Sequence, residues 1–379
     1  MKNVKKCLFP LVFSLFSLTL CLFLLGSCDT QQKSIVVKSA TTPIDFSRPL
    51  SFQDAKDSFR LAFYNVENLF DTIDSPNTLD SEYMPNSSLK WQTQRYFAKQ
   101  KNIARVVEAM NFPAIMGMAE VENRRVLEDL IAQPALASKN YGIVHFESPD
   151  ERGIDVAMIY RKSEFEVKKQ KTHGIKFPNI DDKTRDILEV SGLLMGHPDK
   201  VGRGGIELTV FVNHFPSRRG GAEESEPNRI YVASVLRKAV DSLFQKNPNA
   251  RIVIMGDFND EPNNNSLTKT LGAAEWQRET AKDVPSAALY NLGAAIQRRG
   301  EGTEYYRGWD VLDQIIVSGT FLDARSKATT KDEETVFNPD FIIFKDKAGN
   351  RLPNRTYTGP IYRGGFSDHF PVFINIYVK

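Results

Sequence analysis

Short apolar runs recur along the chain, and polar residues gather where they end. The runs are RLAFYNV (60–66), PAIMGM (113–118), GIVHF (142–146), IDVAMIY (154–160), IELTVFVNH (206–214), RIVIMGD (251–257), LDQIIVS (312–318) and FPVFINIYV (370–378). Several are apolar at nearly every position, the pattern of strands buried on both faces. Two stretches between them repeat at helical spacing. Residues 95–110 align Ile103, Val106 and Val107, and 225–244 align Ile230, Val232, Val235, Leu236, Val240 and Leu243. With no linker dividing them, these elements predict one α/β domain over residues 59–379. The stretches 74–89, 162–183 and 332–365 read as surface insertions. The last contains LPNRTYTGPIYRGG (352–365). A plain connecting loop explains it, but long loops in compact domains often cover sites.

The N-terminus follows a different pattern. Lys2, Lys5 and Lys6 precede an uncharged run from Cys7 to Leu25, and Leu25-Gly26-Ser27-Cys28 follows. Small residues after an apolar run mark a secretory signal, and this form resembles a bacterial lipobox. Residues 1–27 are then a signal peptide, Cys28 the lipidated N-terminus and 28–58 a polar tether. The alternative is an uncleaved anchor, because the 19-residue run nearly spans a bilayer. Either way the body is expected outside the cytoplasm and tethered to a membrane.

Composition narrows the chemistry. All three cysteines lie in this leader, so the body has no disulfide and no thiol for zinc or nucleophilic catalysis. Removing the leader takes three lysines from 49 basic residues, leaving 46 against 47 acidic ones. That balance makes no broad electrostatic footprint for nucleic acid, although a nuclease needing only brief contact stays possible.

The polar run ends carry the chemistry. They are Asn65-Val66-Glu67-Asn68, Glu120-Val121-Glu122-Asn123, Asn213-His214 and Asp257-Phe258-Asn259, with Asp313 and Ser367-Asp368-His369 at the starts of the last two runs. Each alone fits a turn or a helix cap. Together they form an oxygen-rich set with two histidines and no sulfur, suited to a hard cation such as Mg2+ or Mn2+ and to a phosphate-ester substrate.

The ordered pieces YNVENLFD, GMAEVEN, FVNHFPSR, IVIMGDFND, LDQIIVS and GGFSDHFPVF resemble the endonuclease/exonuclease/phosphatase superfamily over residues 61–378. The resemblance implies a four-layer α/β/β/α sandwich, two mixed sheets packed face to face with helices outside. It also implies roles. Asn65 orients the phosphate or water, Glu120 is the principal metal-binding glutamate, and Glu67 and Asp368 lie near the metal. Asp257 orients or deprotonates the attacking water and Asn259 holds the scissile phosphate. His369 contacts the phosphate with Asp313 fixing its tautomer, and His214 assists the leaving group. Glu122 is expected to start a helix or support the site from behind.

Arg185 and the pair Arg218-Arg219, with Arg218 the first choice, are candidate phosphate clamps, with solvated basic positions the plain alternative. Asp155 fits either the site or a buried hydrogen-bonded role. His145, His173 and His197 match no motif and are expected to be structural. The expected activity is divalent-metal-dependent hydrolysis of phosphodiesters by a monomer, with a nuclease first. A phosphatase or phosphodiesterase acting on small esters or lipid head groups is the alternative, and a non-catalytic surface-binding module the remote one.

Overall fold

The computed structural model describes residues 57–76, 78–178, 182–196, 205–278 and 285–379. The signal peptide, Cys28, the tether up to residue 56 and His197 lie outside the described residues.

The chain begins with β1 (Asp57–Leu69), which takes in the last two residues of the expected tether. It continues through α1 (Thr93–Ala109), β2 (Ile115–Val121), α2 (Arg124–Ile131), β3 (Tyr141–His145) and β4 (Asp155–Arg161). Next come β5 (Phe165–His173), β6 (Ile187–Leu194), β7 (Ile206–His214) and α3 (Ala222–Lys246). Then follow β8 (Ile252–Asp257), β9 (Ala273–Glu275), β10 (Leu289–Asn291), α4 (Ala294–Arg298), β11 (Glu304–Tyr305), β12 (Trp309–Asp310) and β13 (Asp313–Ser318). The remainder is β14 (Ala328–Thr329), β15 (Thr335–Val336), two ribbons, β16 (Ile343–Lys345) with β17 (Arg351–Pro353) and β18 (Tyr357–Thr358) with β19 (Ile361–Tyr362), and β20 (Val372–Val378).

Two mixed seven-stranded sheets result. One runs β14-β20-β1-β2-β4-β3 with β15 also on β20, and the other β5-β6-β7-β8-β13-β10-β9. Strand side chains alternate between faces, and the burial follows that parity. Phe59, Leu61 and Phe63 of β1 meet Val210 and Val212 of β7 and Val253 and Met255 of β8 between the sheets. The opposite parity of β1 and β2, with Ala62, Tyr64, Met116 and Met118, packs under α1 through Ile103, Val106 and Val107. On the second sheet Phe211, Ile252 and Ile254 pack under α3 through Val232, Leu236 and Val240. Three apolar layers separate four structural layers, so the α/β/β/α sandwich is the observed architecture. The sheets approach closely at Gly117, where a Cβ would meet the Met255 sulfur at 2.7 Å.

The strands expected from the apolar runs all form, and two further long ones, β5 and β6, appear with ten of two or three residues. Part of the expected insertion at 162–183 is β5, an edge strand whose middle is exposed, so its sequence carries no burial signal. Its neighbour β6 is mostly buried. The short α2 begins just after Glu122, where a helix start was expected; Asn123 caps it, its side-chain oxygen accepting from the Val126 amide at 3.1 Å. Among the described residues no helix is long and apolar enough to cross a membrane.

Candidate active site

The topology brings six strand ends to one edge of the sandwich. In the first sheet β1 and β2 are parallel, so both end there, and antiparallel β20 starts there. In the second, β7 and β8 are parallel and antiparallel β13 starts beside them. Asp257 is in register with His214 on one side and Asp313 on the other. The inward stripes Leu208-Val210-Val212 and Val253-Met255 thus end in His214 and Asp257, and Phe59-Leu61-Phe63 ends in Asn65. Each polar residue is the last inward position of an apolar strand, held by the core behind it.

Asp257 is fully enclosed by polar partners. One oxygen accepts from the Asn65 amide at 3.0 Å and the other from the Asn259 backbone N–H at 2.9 Å. The His214 Nε2 lies 3.5 Å and the His369 Nε2 4.0 Å from its Oδ2. Burial pushes its carboxyl pKa up, against the pull of His369. His369 Nδ1 pairs with Asp313 at 2.7 Å. Burial opposes a charge on His369, but the Asp313 carboxylate outweighs it and holds the ring's pKa well above the usual value. His214 behaves oppositely: burial first, then Arg185, Arg152 and His369, push its pKa well down. Its Nδ1 is buried without a partner. The surroundings thus bias the two imidazoles in opposite directions, His369 toward its charged form and His214 toward its neutral one.

The first sheet supplies its residues through irregular backbone. Its register shifts between Asn65 and Leu69 on β1 and between Ala119 and Val121 on β2. Glu67, Asn68 and Glu120 have φ of 50°, 54° and 62°, a region that non-glycine residues rarely occupy. The Asn68 N–H donates to Glu120 Oε2 at 2.9 Å. Asn259, at φ 48°, repeats the device beyond β8, and its amide donates to the Phe215 carbonyl.

These groups open onto a cavity of about 500 Å³ whose walls include Glu120, His214, Asp257, Asn259, Asp368 and His369. Arg185 also lines it, buried, with Nη1 on Asp150 and Nη2 on the Phe215 carbonyl, while its Nε has no partner. Arg218 goes elsewhere, to the Asn259 carbonyl at 2.7 Å, Asp310 and Asn264; Arg219 lines the cavity in its place. The clamp expected at Arg218 is thus a brace for the Asn259 loop.

Carboxylate donors suit a hard cation on this wall. Glu120 lines the cavity, and Glu304, Asp368 and His369 offer ligand atoms within 4.8 Å of one another. Glu67 does not join them. It lines a neighbouring depression with Asn68, Tyr83, Trp91 and Arg355, and its oxygens accept from Arg355 Nε at 3.2 Å and the Thr356 N–H at 2.6 Å.

The remaining expectations sort plainly. Glu122 supports the loop behind the site, accepting from the Asp71 N–H and the Ser75 hydroxyl. Asp155 pairs with His145 at 2.9 Å, and His173 with Glu189 at 2.7 Å, and none of them lines the cavity. Sequence reasoning missed Glu304, whose pKa burial raises to about 7, and Arg355. Arg355 lay in the insertion at 332–365, read as a connecting loop, and Glu304 stands in none of the apolar runs, so no strand end marked either one.

Solved structures similar to the chain include an endonuclease/exonuclease/phosphatase family protein from Bacteroides thetaiotaomicron (TM-score 0.52, 17% identity, covering 85% of this chain and 98% of that one). A mannosyl-6-phosphatase from the same organism (TM-score 0.50, 18% identity, 84% and 99%) is also similar. So is the human Nocturnin catalytic domain (TM-score 0.50, 15% identity, 88% and 100%). No curated protein matches. The profile of the Endonuclease/Exonuclease/phosphatase family matches residues 60–378, and the chain belongs to that family of phosphate-ester hydrolases.

Proposed function

We propose that the protein is an extracytoplasmic, lipid-anchored phosphodiesterase that uses Mg2+ or Mn2+ and acts on nucleic acid or its fragments. The observation carrying the chemistry is Asp257, buried, held by Asn65 and facing both His214 and His369. Asp257 takes a proton from water as the water oxygen bonds to phosphorus, and the bond from phosphorus to the leaving oxygen breaks. A raised carboxyl pKa strengthens that base. Cationic His369, oriented by Asp313, steadies the phosphoryl oxygens. His214, which burial biases toward its neutral form, donates a hydrogen bond to the phosphate, and the leaving oxygen takes its proton from solvent. Glu120, with Asp368, would hold a divalent ion, which would supply positive charge to the phosphoryl oxygens.

A second reading, small phosphate esters, is favoured by the cavity itself: about 500 Å³ falls within the range of small-ligand pockets. Plasmid DNA, RNA, bis-p-nitrophenyl phosphate and p-nitrophenyl phosphate, each assayed with Mg2+, Mn2+ and EDTA, separate the readings. Cleavage of nucleic acid that EDTA abolishes is expected; hydrolysis of the monoester alone would sink the phosphodiesterase reading. Inactivity on all four with metal would favour a non-catalytic binding module. The anchor is supported by the leader pattern, and Cys28→Ala is expected to move the protein out of the detergent phase on Triton X-114 partition.

A further inference from the structure

The segment 354–357 crosses the edge of the site, and its contacts there form a closed set of charges. Arg355 Nε binds Glu67 Oε1 at 3.2 Å while its Nη2 binds Asp368 Oδ2 at 2.7 Å. The next residue donates its backbone N–H to Glu67 Oε2 at 2.6 Å, and its hydroxyl accepts from Lys99. Lys99, buried, also lies 3.7 Å from Glu67 Oε2. Two carboxylates and two cations are thus paired, and both Glu67 oxygens are engaged. Asp368 keeps only Oδ1 toward the cavity, 3.9 Å from the His369 Nε2.

A Mg2+ ion bonds its oxygens at about 2.0–2.1 Å. An ion on Glu67 Oε1 or Asp368 Oδ2 would sit against a guanidinium already 3.2 or 2.7 Å from that oxygen. Like charges so close repel by several kcal/mol even at an effective dielectric of about 20. A planar fork reaching two carboxylates at once is a task for arginine rather than lysine.

We propose that Arg355 is a resident cation of this site: it fills the position between Glu67 and Asp368, so the chain binds one divalent ion, through Glu120, and Glu67 anchors the arginine instead of the metal. The inference rests on the metal-dependent reading above. Arg355 acts as a positioning residue, fixing Asp368 Oδ2 and leaving Oδ1 to the cavity.

The test is Mn2+ titration of the EDTA-stripped full chain by calorimetry, with free Mn2+ counted by electron paramagnetic resonance. One ion per chain is expected in the wild type. Glu120→Gln should weaken its binding at least tenfold, and Glu67→Gln less than threefold. Arg355→Gln, which leaves two carboxylates facing each other, should add a second ion or tighten binding at least fivefold. Arg355→Lys should return the count to one, although its single point charge restores the geometry only in part. Two ions on the wild type, a Glu67→Gln loss matching that of Glu120→Gln, or an Arg355→Gln profile identical to wild type would each overturn the inference. So would the absence of any bound ion. Two ions together with phosphodiester cleavage would leave the proposed function standing; one ion on a chain that cleaves no phosphate ester would instead remove that function and keep the arginine.

Discussion

The two sheets bring polar groups to the same edge by different means. On the second sheet, His214, Asp257 and Asp313 are in-register neighbours on adjacent strands, simple continuations of inward apolar stripes. On the first, Glu67 and Glu120 follow register shifts and sit at φ of 50° and 62°. The regular half places Asp257, His214 and Asp313 by strand geometry alone. The irregular half needs strained backbone, whose cost of about 1–3 kcal/mol per residue must be met by surrounding contacts. For Glu67 those contacts come from a remote segment, through Arg355 and Thr356, and for Asn68 from the Glu120 carboxylate. A ladder needs only its own strands; a bulge needs outside partners.

The sharpest way to break the contrast lies in the regular half. Asp257→Ala should lower kcat by about a thousandfold or more, in line with removal of a positioned general base, while the circular dichroism spectrum and melting temperature stay close to wild type. Rates near wild type would reject the assigned role. On the irregular side, Glu120→Gln should cost about a hundredfold, of the order seen when a positioned electrostatic group is lost. Raising Mn2+ should recover part of that rate, and EDTA should abolish what remains. A loss that is insensitive to metal concentration would show that Glu120 is not on the ion's wall.

Strain itself gives a smaller effect. Asn68→Val places a β-branched residue at φ 54° and should destabilise by about 1–3 kcal/mol, whereas Asn68→Gly should not. Urea denaturation of both variants checks this, and equal midpoints would mean that the bulge carries no strain. The smallest expected effect again concerns the regular sheet. Glu334 is buried, one oxygen accepting from the Ile315 N–H of β13, and burial holds its carboxyl pKa well above the usual value. The folded state therefore keeps a proton that the unfolded chain loses, so its contribution to stability is present below the unfolded value near pH 4.5 and fades as pH rises toward the folded value. Glu334→Gln removes this slope. Its advantage over wild type should widen between pH 5 and 8, by at most about 1.4 kcal/mol per unit, and a gap that stays constant would contradict the assignment.

Much of this was legible beforehand, for identifiable reasons. Strands such as Ile252–Asp257 are apolar at successive positions because both of their faces are covered, and that burial writes itself into residue type. β5 was illegible because an exposed edge strand leaves its polar residues free to vary. Arg218 and Arg219 could not be separated by sequence, since one step along a loop turns a side chain from the cavity to Asp310.

By itself the sequence determined the eight apolar strands, the sulfur-free, carboxylate-rich chemistry and the membership of Asp257, Asn259, His214, Asp313 and His369 in one set, because burial and donor chemistry are properties of residue type and spacing. Only the tertiary structure decided which way each histidine's charge is biased, that Glu67 faces Arg355 and Lys99 rather than the cavity, and that Glu120 is turned inward against its strand's parity. The two partners of Glu67 lie 32 and 288 residues away, Lys99 and Arg355, and no local pattern encodes a contact at that range.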